Sequence, residues 1–157
     1  MIAMLLYGSC NPSGEDETYN GLYLTQNEMR DSVTRRDLIG VPVKVEHSGG
    51  NVGNIVSAEI GLDNRLYCLL EIDETSLPGS LTGGFVRDGI ATELSLGYSV
   101  DVQNTHDNKL KAGKKQVLEV SIVKKGARNG CRIVAMQDQD EALKVRRNCW
   151  DGYFDLT

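Results

Sequence analysis

The sequence predicts a β-rich α+β protein: one closed or partly open antiparallel β-barrel with a few peripheral helices, including one at the C-terminus. Short apolar runs divided by glycine and asparagine are typical of consecutive strands joined by turns. These runs outnumber the segments whose apolar residues recur at helical spacing. A chain of 157 residues, 40% of them hydrophobic and 25% charged, is long enough for one sizeable core. We therefore expect residues 1–157 to form a single domain.

The first half of the chain combines predicted strands with one short helix. The strands are expected at 1–7, 41–47, 52–60 and 65–72, with a loop over 11–20 and a turn over 48–51. The helix is expected over 25–33, because Thr25 and Glu28 have the three-residue spacing of a capping box. The turns between the last three of these strands indicate antiparallel neighbours.

The second half is predicted to add three strands and a closing helix. The strands are expected at 90–102, 116–123 and 131–136. The stretch 73–88 contains Pro78 and several glycines, so it is predicted to be a loop with one helical turn. The polar stretch 104–115 is predicted to be a mobile hairpin loop. Over 140–154 the apolar residues recur at nearly helical spacing, which predicts a helix laid on the sheet.

Composition and charge disfavour several classes of function. The net charge of −5 disfavours a nucleic-acid-binding protein, which needs a basic surface to neutralise phosphates. The four cysteines are far apart and lack CxxC spacing, so we expect no metal site, and nothing in the sequence indicates a cofactor. Cys68 and Cys131 lie in apolar runs and are expected to be buried thiols. No apolar run approaches the roughly 20 residues that span a bilayer, and the N-terminal stretch lacks the basic start of a signal peptide. We expect an intracellular, soluble protein without membrane or nucleic-acid partners.

His47 and Ser95 are the residues most suggestive of chemistry. A serine hydroxyl becomes a good nucleophile when a neighbouring base takes its proton, and a neutral imidazole is the usual base. The chain contains only two histidines, so few pairings are available. Each residue also has a structural interpretation: His47 as an exposed residue at a strand end, and Ser95 as a small residue in a packed strand. The residues alone leave both interpretations open.

Two further features could complete such a site. Glu119 lies in an otherwise apolar predicted strand, where it either faces solvent or orients a base. The turn over 124–130 contains two glycines, which permit unusual backbone angles. Its amides could face an oxyanion, or the segment could be an ordinary charged hairpin turn.

Four short segments follow one another between Gly40 and Arg132. They read VEHSG at 45–49 followed by VGNIV at 52–56, then RLYCL at 65–69, ELSLGY at 93–98 and LEVSIV at 118–123, with a basic, glycine-containing turn after the last. In this order they resemble the capsid-maturation (prohead) serine proteases shared by herpesviruses and tailed bacteriophages. RLYCL is similar to a strand of the herpesvirus enzymes, whereas the Ser-Leu-Gly-Tyr within ELSLGY is closer to the phage pattern.

The resemblance implies a general base at His47 and a nucleophile at Ser95. Ser99 has the same strand parity as Ser95 but lies beyond the Leu-Ser-Leu-Gly core, so it ranks below Ser95. In the proteases that the chain resembles, backbone amides of the basic turn form the oxyanion hole. In this chain they would come from Lys124, Lys125 and Gly126, and one extra residue in the turn leaves the choice among the three open.

The resemblance leaves two alternatives for the third residue of the catalytic triad, the one that orients His47. Herpesvirus enzymes use a second histidine where Val117 aligns, whereas phage relatives tend to have an acid in this strand, which corresponds to Glu119. Residues 117 and 119 are expected on the same face of a strand, so a carboxylate at Glu119 could reach the imidazole from a similar direction. His106, in the polar loop, is the alternative third member.

The function implied is that of a viral serine endopeptidase, which cleaves the internal scaffold protein and itself in the procapsid through an acyl-enzyme at Ser95. Its location would be the procapsid interior, in a bacterial cytoplasm or in a nucleus for a herpesvirus-like source. Herpesvirus members are active as dimers, so a homodimer is expected among its partners. The helix around 143–150 could form that interface or only cover the barrel. The alternative is a non-catalytic β-barrel module, structural or scaffold-binding, in the virion.

Overall fold

The computed structural model describes residues 3–14, 23–104, 110–126 and 130–138, which form one sheet and two helices. The elements are β1 (Ala3–Asn11), α1 (Gln26–Arg35), β2 (Pro42–Val45), β3 (Ser48–Ile60), β4 (Leu66–Asp73), α2 (Leu77–Arg87), β5 (Glu93–Asn104), β6 (Leu110–Val123) and β7 (Ile133–Gln137). The seven strands lie in the order β5-β6-β2-β3-β4-β1-β7. The predicted β-rich α+β class is therefore confirmed.

The sheet is mixed and is not closed into a barrel. Five of its neighbouring pairs are antiparallel, whereas β2 and β6 are parallel. The start of β5 approaches the segment before β7 through a single bridge between Glu93 and Arg132. The closed form of the predicted barrel is thus wrong, because one bridge between the two edges does not continue as a ladder. The antiparallel succession of β2, β3 and β4 is confirmed.

The core is formed by alternate residues of the strands together with one side of each helix. Residues of β4 alternate strictly between buried and half-buried, as a period of two requires. The buried core includes Met4, Leu6, Val43, Ile55, Leu70, Ile72, Leu94, Val120 and Ile122. Met29 of α1 and Val86 of α2 join this cluster. Cys68 and Cys131 are buried as predicted, with 0% and 1% of their surface exposed.

The two helices differ in how well local sequence predicts them. α1 has the expected capping box: the Glu28 amide donates to the Thr25 hydroxyl at 3.2 Å, and the Thr25 amide donates to the Glu28 carboxylate at 2.9 Å. The predicted loop over 73–88 is wrong, because Leu77–Arg87 forms α2. Pro78 lies in the first turn, where an intrahelical N–H donor is not needed, and the Ser76 hydroxyl caps the helix by accepting from the Gly79 amide at 3.1 Å.

Several strands extend beyond their predicted ends. β1 continues to Asn11, and β5 and β6 continue into the predicted loop over 104–115, as far as Asn104 and from Leu110 onward. β3 begins at Ser48, so the predicted turn over 48–51 is wrong. The predicted helix over 140–154 lies outside the described residues.

Gly53 is expected to be required for the pairing of β3 with β4. A Cβ at this position would lie 1.9 Å from the backbone oxygen of Glu71, whereas a Cβ at Gly50 of the same strand would have no neighbour within 4 Å. Gly53→Ala should lower the free energy of unfolding by about 1–3 kcal/mol, the usual cost of overpacking. Gly50→Ala should change it by less than about 1 kcal/mol. Urea denaturation of both variants checks this, and equal midpoints would contradict the register of β3 and β4.

Candidate active site

Three neighbouring strands place polar residues in one row on the sheet face that points away from the core. Lys44 of β2 pairs with Ser121 of β6, and Ser121 pairs with Ser95 of β5. The residues next to this row, Leu94 and Ile122, point the other way and are completely buried. Because side chains alternate between faces, the apolar neighbours fix the orientation of Ser95.

His47 reaches this row from a tight turn and not from a strand, which corrects the prediction of a strand over 41–47. Val45 pairs with Ser48, so Glu46 and His47 are the two central residues of the β2–β3 hairpin. Both have positive φ, 51° and 59°, as a type I′ turn requires. Non-glycine residues pay about 1–2 kcal/mol each for this conformation. The Glu46 amide donates to the Ile122 carbonyl oxygen at 3.1 Å, which anchors the strained turn on β6.

Ser95, His47 and Glu119 form a continuous chain of hydrogen bonds. His47 Nε2 lies 3.0 Å from Ser95 Oγ, and His47 Nδ1 is hydrogen-bonded to Glu119 Oε1. Ser95 is 3% exposed, and the side chains of Glu119 and His47 are 11% and 44% exposed. An ionised carboxylate accepts a hydrogen bond from Nδ1–H, and the proton on Nδ1 leaves Nε2 with a lone pair directed at the serine hydroxyl. This arrangement can remove the proton of Ser95.

Glu119 faces the imidazole instead of solvent, because two neighbours define its place. Its second oxygen, Oε2, accepts a hydrogen bond from the Ser121 hydroxyl at 2.5 Å. Gly97 lies opposite Glu119 in the pairing of β5 with β6, and a Cβ at Gly97 would be 2.0 Å from Glu119 Oε1. The glycine of the Ser-Leu-Gly-Tyr segment therefore makes room for the carboxylate.

The expectation that residues 117 and 119 share a strand face is wrong. Gly97 pairs with Glu119, but Tyr98 pairs with Val117, so β6 has an extra residue at Leu118. Such a bulge changes the alternation of side chains. Val117 accordingly packs against the core, whereas Glu119 lies beside His47.

Two of the amides predicted to form an oxyanion hole already donate to carboxylates of this chain. The Lys124 amide donates to Glu46 at 2.8 Å, and the Gly126 amide donates to Glu93 at 2.8 Å. Glu46 precedes His47, and Glu93 lies two residues before Ser95 on the same strand face. The basic turn is thus tied by its backbone to the segments that carry the serine and the histidine.

The remaining predicted residues lie apart from this chain of hydrogen bonds. Lys125 lines a neighbouring cavity of about 650 Å³ together with Glu93 and Arg132. Ser99 lines a different cavity, of about 680 Å³, between α1 and the β5–β6 pair. His106 lies outside the described residues. Within the described ranges, no three His, Cys, Asp or Glu side chains are grouped as metal ligands, and no helix is long and apolar enough to cross a membrane.

Ser121 was not anticipated from the sequence. It follows Glu119 by two residues in an otherwise apolar strand, a spacing that puts two side chains on the same face of a strand. This two-residue spacing is the only sign of Ser121 in the sequence. The backbone amide of His47, which donates to the Ser121 hydroxyl, is more than 70 residues away in sequence.

Comparison with known proteins supports a relation in fold. No protein-family model matches the chain, and no curated protein sequence matches it. Solved structures with a similar fold include the KSHV protease in complex with a hexapeptide phosphonate inhibitor. That comparison has a TM-score of 0.58 and 15% sequence identity, and it covers 96% of this chain and 72% of the protease. The fold is therefore similar to that of a herpesvirus protease.

Gly97→Ala is expected to separate Glu119 from His47 while leaving the sheet paired. The rate at which a fluorophosphonate labels Ser95 should fall by up to about 10⁴-fold, the loss found when the acid that orients the histidine of a serine triad is replaced. In a Glu119→Ala background, Gly97→Ala should not slow the labelling of Ser95 further, because the carboxylate that it would displace is already absent. An equal loss in both backgrounds would show that Gly97 acts through the fold and not through Glu119.

Proposed function

We propose that this chain is a serine endopeptidase that works through an acyl-enzyme at Ser95. The observation that carries the proposal is the continuous chain of hydrogen bonds from Ser95 through His47 to Glu119. These side chains come from three separate elements, one of them a strained turn. Strain of this kind is commonly kept where a function requires it. The similarity in fold to a herpesvirus protease gives independent support.

The mechanism follows from the placement of the protons. Ser95 Oγ attacks the carbonyl carbon of a peptide bond as its proton passes to His47 Nε2. Glu119 stabilises the imidazolium through Nδ1. The imidazolium then protonates the leaving amine, and an acyl-enzyme remains. Water attacks this ester with His47 again as base, which releases the carboxylic acid and restores the serine.

The oxyanion would be stabilised by amides of the basic turn at Lys124, Lys125 and Gly126. Since Glu46 and Glu93 accept hydrogen bonds from two of these amides, the carboxylates have to release them when a substrate carbonyl binds. Donors must lie within about 3 Å of the developing oxyanion to lower the barrier. The free protein would therefore be in a resting state.

The proposed substrates are an internal capsid scaffold protein and the linkers of the protease itself. This part of the proposal is supported by the resemblance of the four segments between Gly40 and Arg132 to the prohead proteases. The same resemblance extends the proposal to a homodimer acting in the interior of a procapsid, in a bacterial cytoplasm or in a nucleus.

A non-catalytic structural or scaffold-binding module of a virion is the second candidate. The observation that favours it is the combination of a nearly buried Ser95, 3% exposed, with turn amides that are already occupied. A module of this kind would keep the hydrogen bonds of the site but would not turn over a substrate.

Cleavage of a peptide pool distinguishes the two candidates. Concentrated protein is incubated with peptides from a digested proteome whose amines are blocked, and mass spectrometry detects new amino termini. We expect new termini with the unmodified chain and with Ser99→Ala, and none with Ser95→Ala or His47→Ala. Absence of cleavage, together with no adduct of a peptidyl phosphonate on Ser95, would contradict the protease and favour the binding module.

A further inference from the structure

We infer that Ser121 is a positioning residue that fixes the general base and its orienting acid together, an inference that rests on the proposed protease function. Ser121 is completely buried, and a buried hydroxyl needs partners for its hydrogen bonds. Its partners are the backbone amide of His47, at 2.9 Å, and Glu119 Oε2, at 2.5 Å. One side chain therefore contacts two of the three members of the site.

The direction of each hydrogen bond follows from the chemistry of the groups. A backbone N–H can only donate, so the oxygen of Ser121 accepts from His47. The hydroxyl proton of Ser121 is then directed at Glu119 Oε2. This leaves Glu119 Oε1 for His47 Nδ1–H, and Nε2 keeps a lone pair toward Ser95.

Both contacts act on features that the other hydrogen bonds of the site fix only in part, namely the backbone of His47 and the plane of the Glu119 carboxylate. The His47 backbone is in the left-handed region, which an ordinary residue leaves readily unless neighbours hold it. The Glu119 carboxylate could rotate about its last bond and turn both oxygens out of line with the Nδ1–H of the imidazole. Ser121 restrains the His47 end of the turn and the plane of the carboxylate together, in addition to the Glu46–Ile122 hydrogen bond that anchors the turn. Ser121 affects the reactivity of Ser95 through His47 and Glu119, since its hydroxyl is hydrogen-bonded to these two residues.

A pair of variants of equal shape isolates the hydroxyl. Ser121→Thr keeps the hydroxyl, and Ser121→Val replaces it with a methyl group of similar volume. Both variants also add one methyl group at position 121, so any strain from overpacking is the same in the two proteins. We expect the fluorophosphonate to label Ser95 in Ser121→Val on the order of 10–100-fold more slowly than in Ser121→Thr. Thr82→Val is the control for loss of a buried hydroxyl, because Thr82 of α2 donates instead to the backbone oxygen of Pro78 in the same helix. It should label at the unmodified rate.

A spectroscopic readout separates positioning from a purely structural role. His106→Gln leaves one imidazole in the chain, and its ¹⁵N chemical shifts report which ring nitrogen carries the proton. We expect the neutral ring of His47 to be protonated at Nδ1 with serine or threonine at 121, and to be a mixture of tautomers with valine. Equal labelling rates and equal tautomers in the threonine and valine variants would overturn the role of Ser121. Failure of the unmodified chain to label at all would instead contradict the proposed protease function.

Discussion

The parallel pairing of β2 with β6 is the constraint on which the candidate site depends. It sets Lys44 beside Ser121 and delivers the following turn, at Glu46 and His47, over the outer face of β6. On its other side β6 pairs with β5, which sets Ser95 opposite Ser121. A shift of either pairing by one residue would move the polar side chains to the core face. The apolar residues between them, Leu94 and Ile122, oppose such a shift because they are completely buried.

Local sequence predicts those parts of the molecule whose causes are local. α1 follows from the Thr25–Glu28 capping box, and β4 follows from its alternation. α2 does not follow, because Pro78 and the glycines after it suggest a loop, and the sequence alone does not show that Pro78 lies in the first turn of a helix. The extent of β3 is also missed, since Glu46 and His47 turn with positive φ although neither is glycine.

The sequence predicts the site only through the resemblance of its four segments to the prohead proteases. The structure brings Ser95, His47 and Glu119 into contact, whereas composition and spacing alone leave each with a structural interpretation. The bulge at Leu118 and the hydrogen bonds of Ser121 depend on pairing between strands that are distant in sequence. The occupied amides of Lys124 and Gly126 depend in the same way on Glu46 and Glu93. No local pattern encodes such contacts.

If Ser95, His47 and Glu119 act as one unit, the effects of substituting His47 and Glu119 on the reactivity of Ser95 are not additive. The measurement is the rate of Ser95 phosphonylation in His47→Ala, in Glu119→Ala and in the double variant, with His106→Ala as the control. Because Glu119 acts only through the imidazole, the double variant should be no slower than His47→Ala, and His106→Ala should match the unmodified chain. Losses that add in the double variant, or labelling that is unchanged without His47, would show that the three residues do not act as one unit.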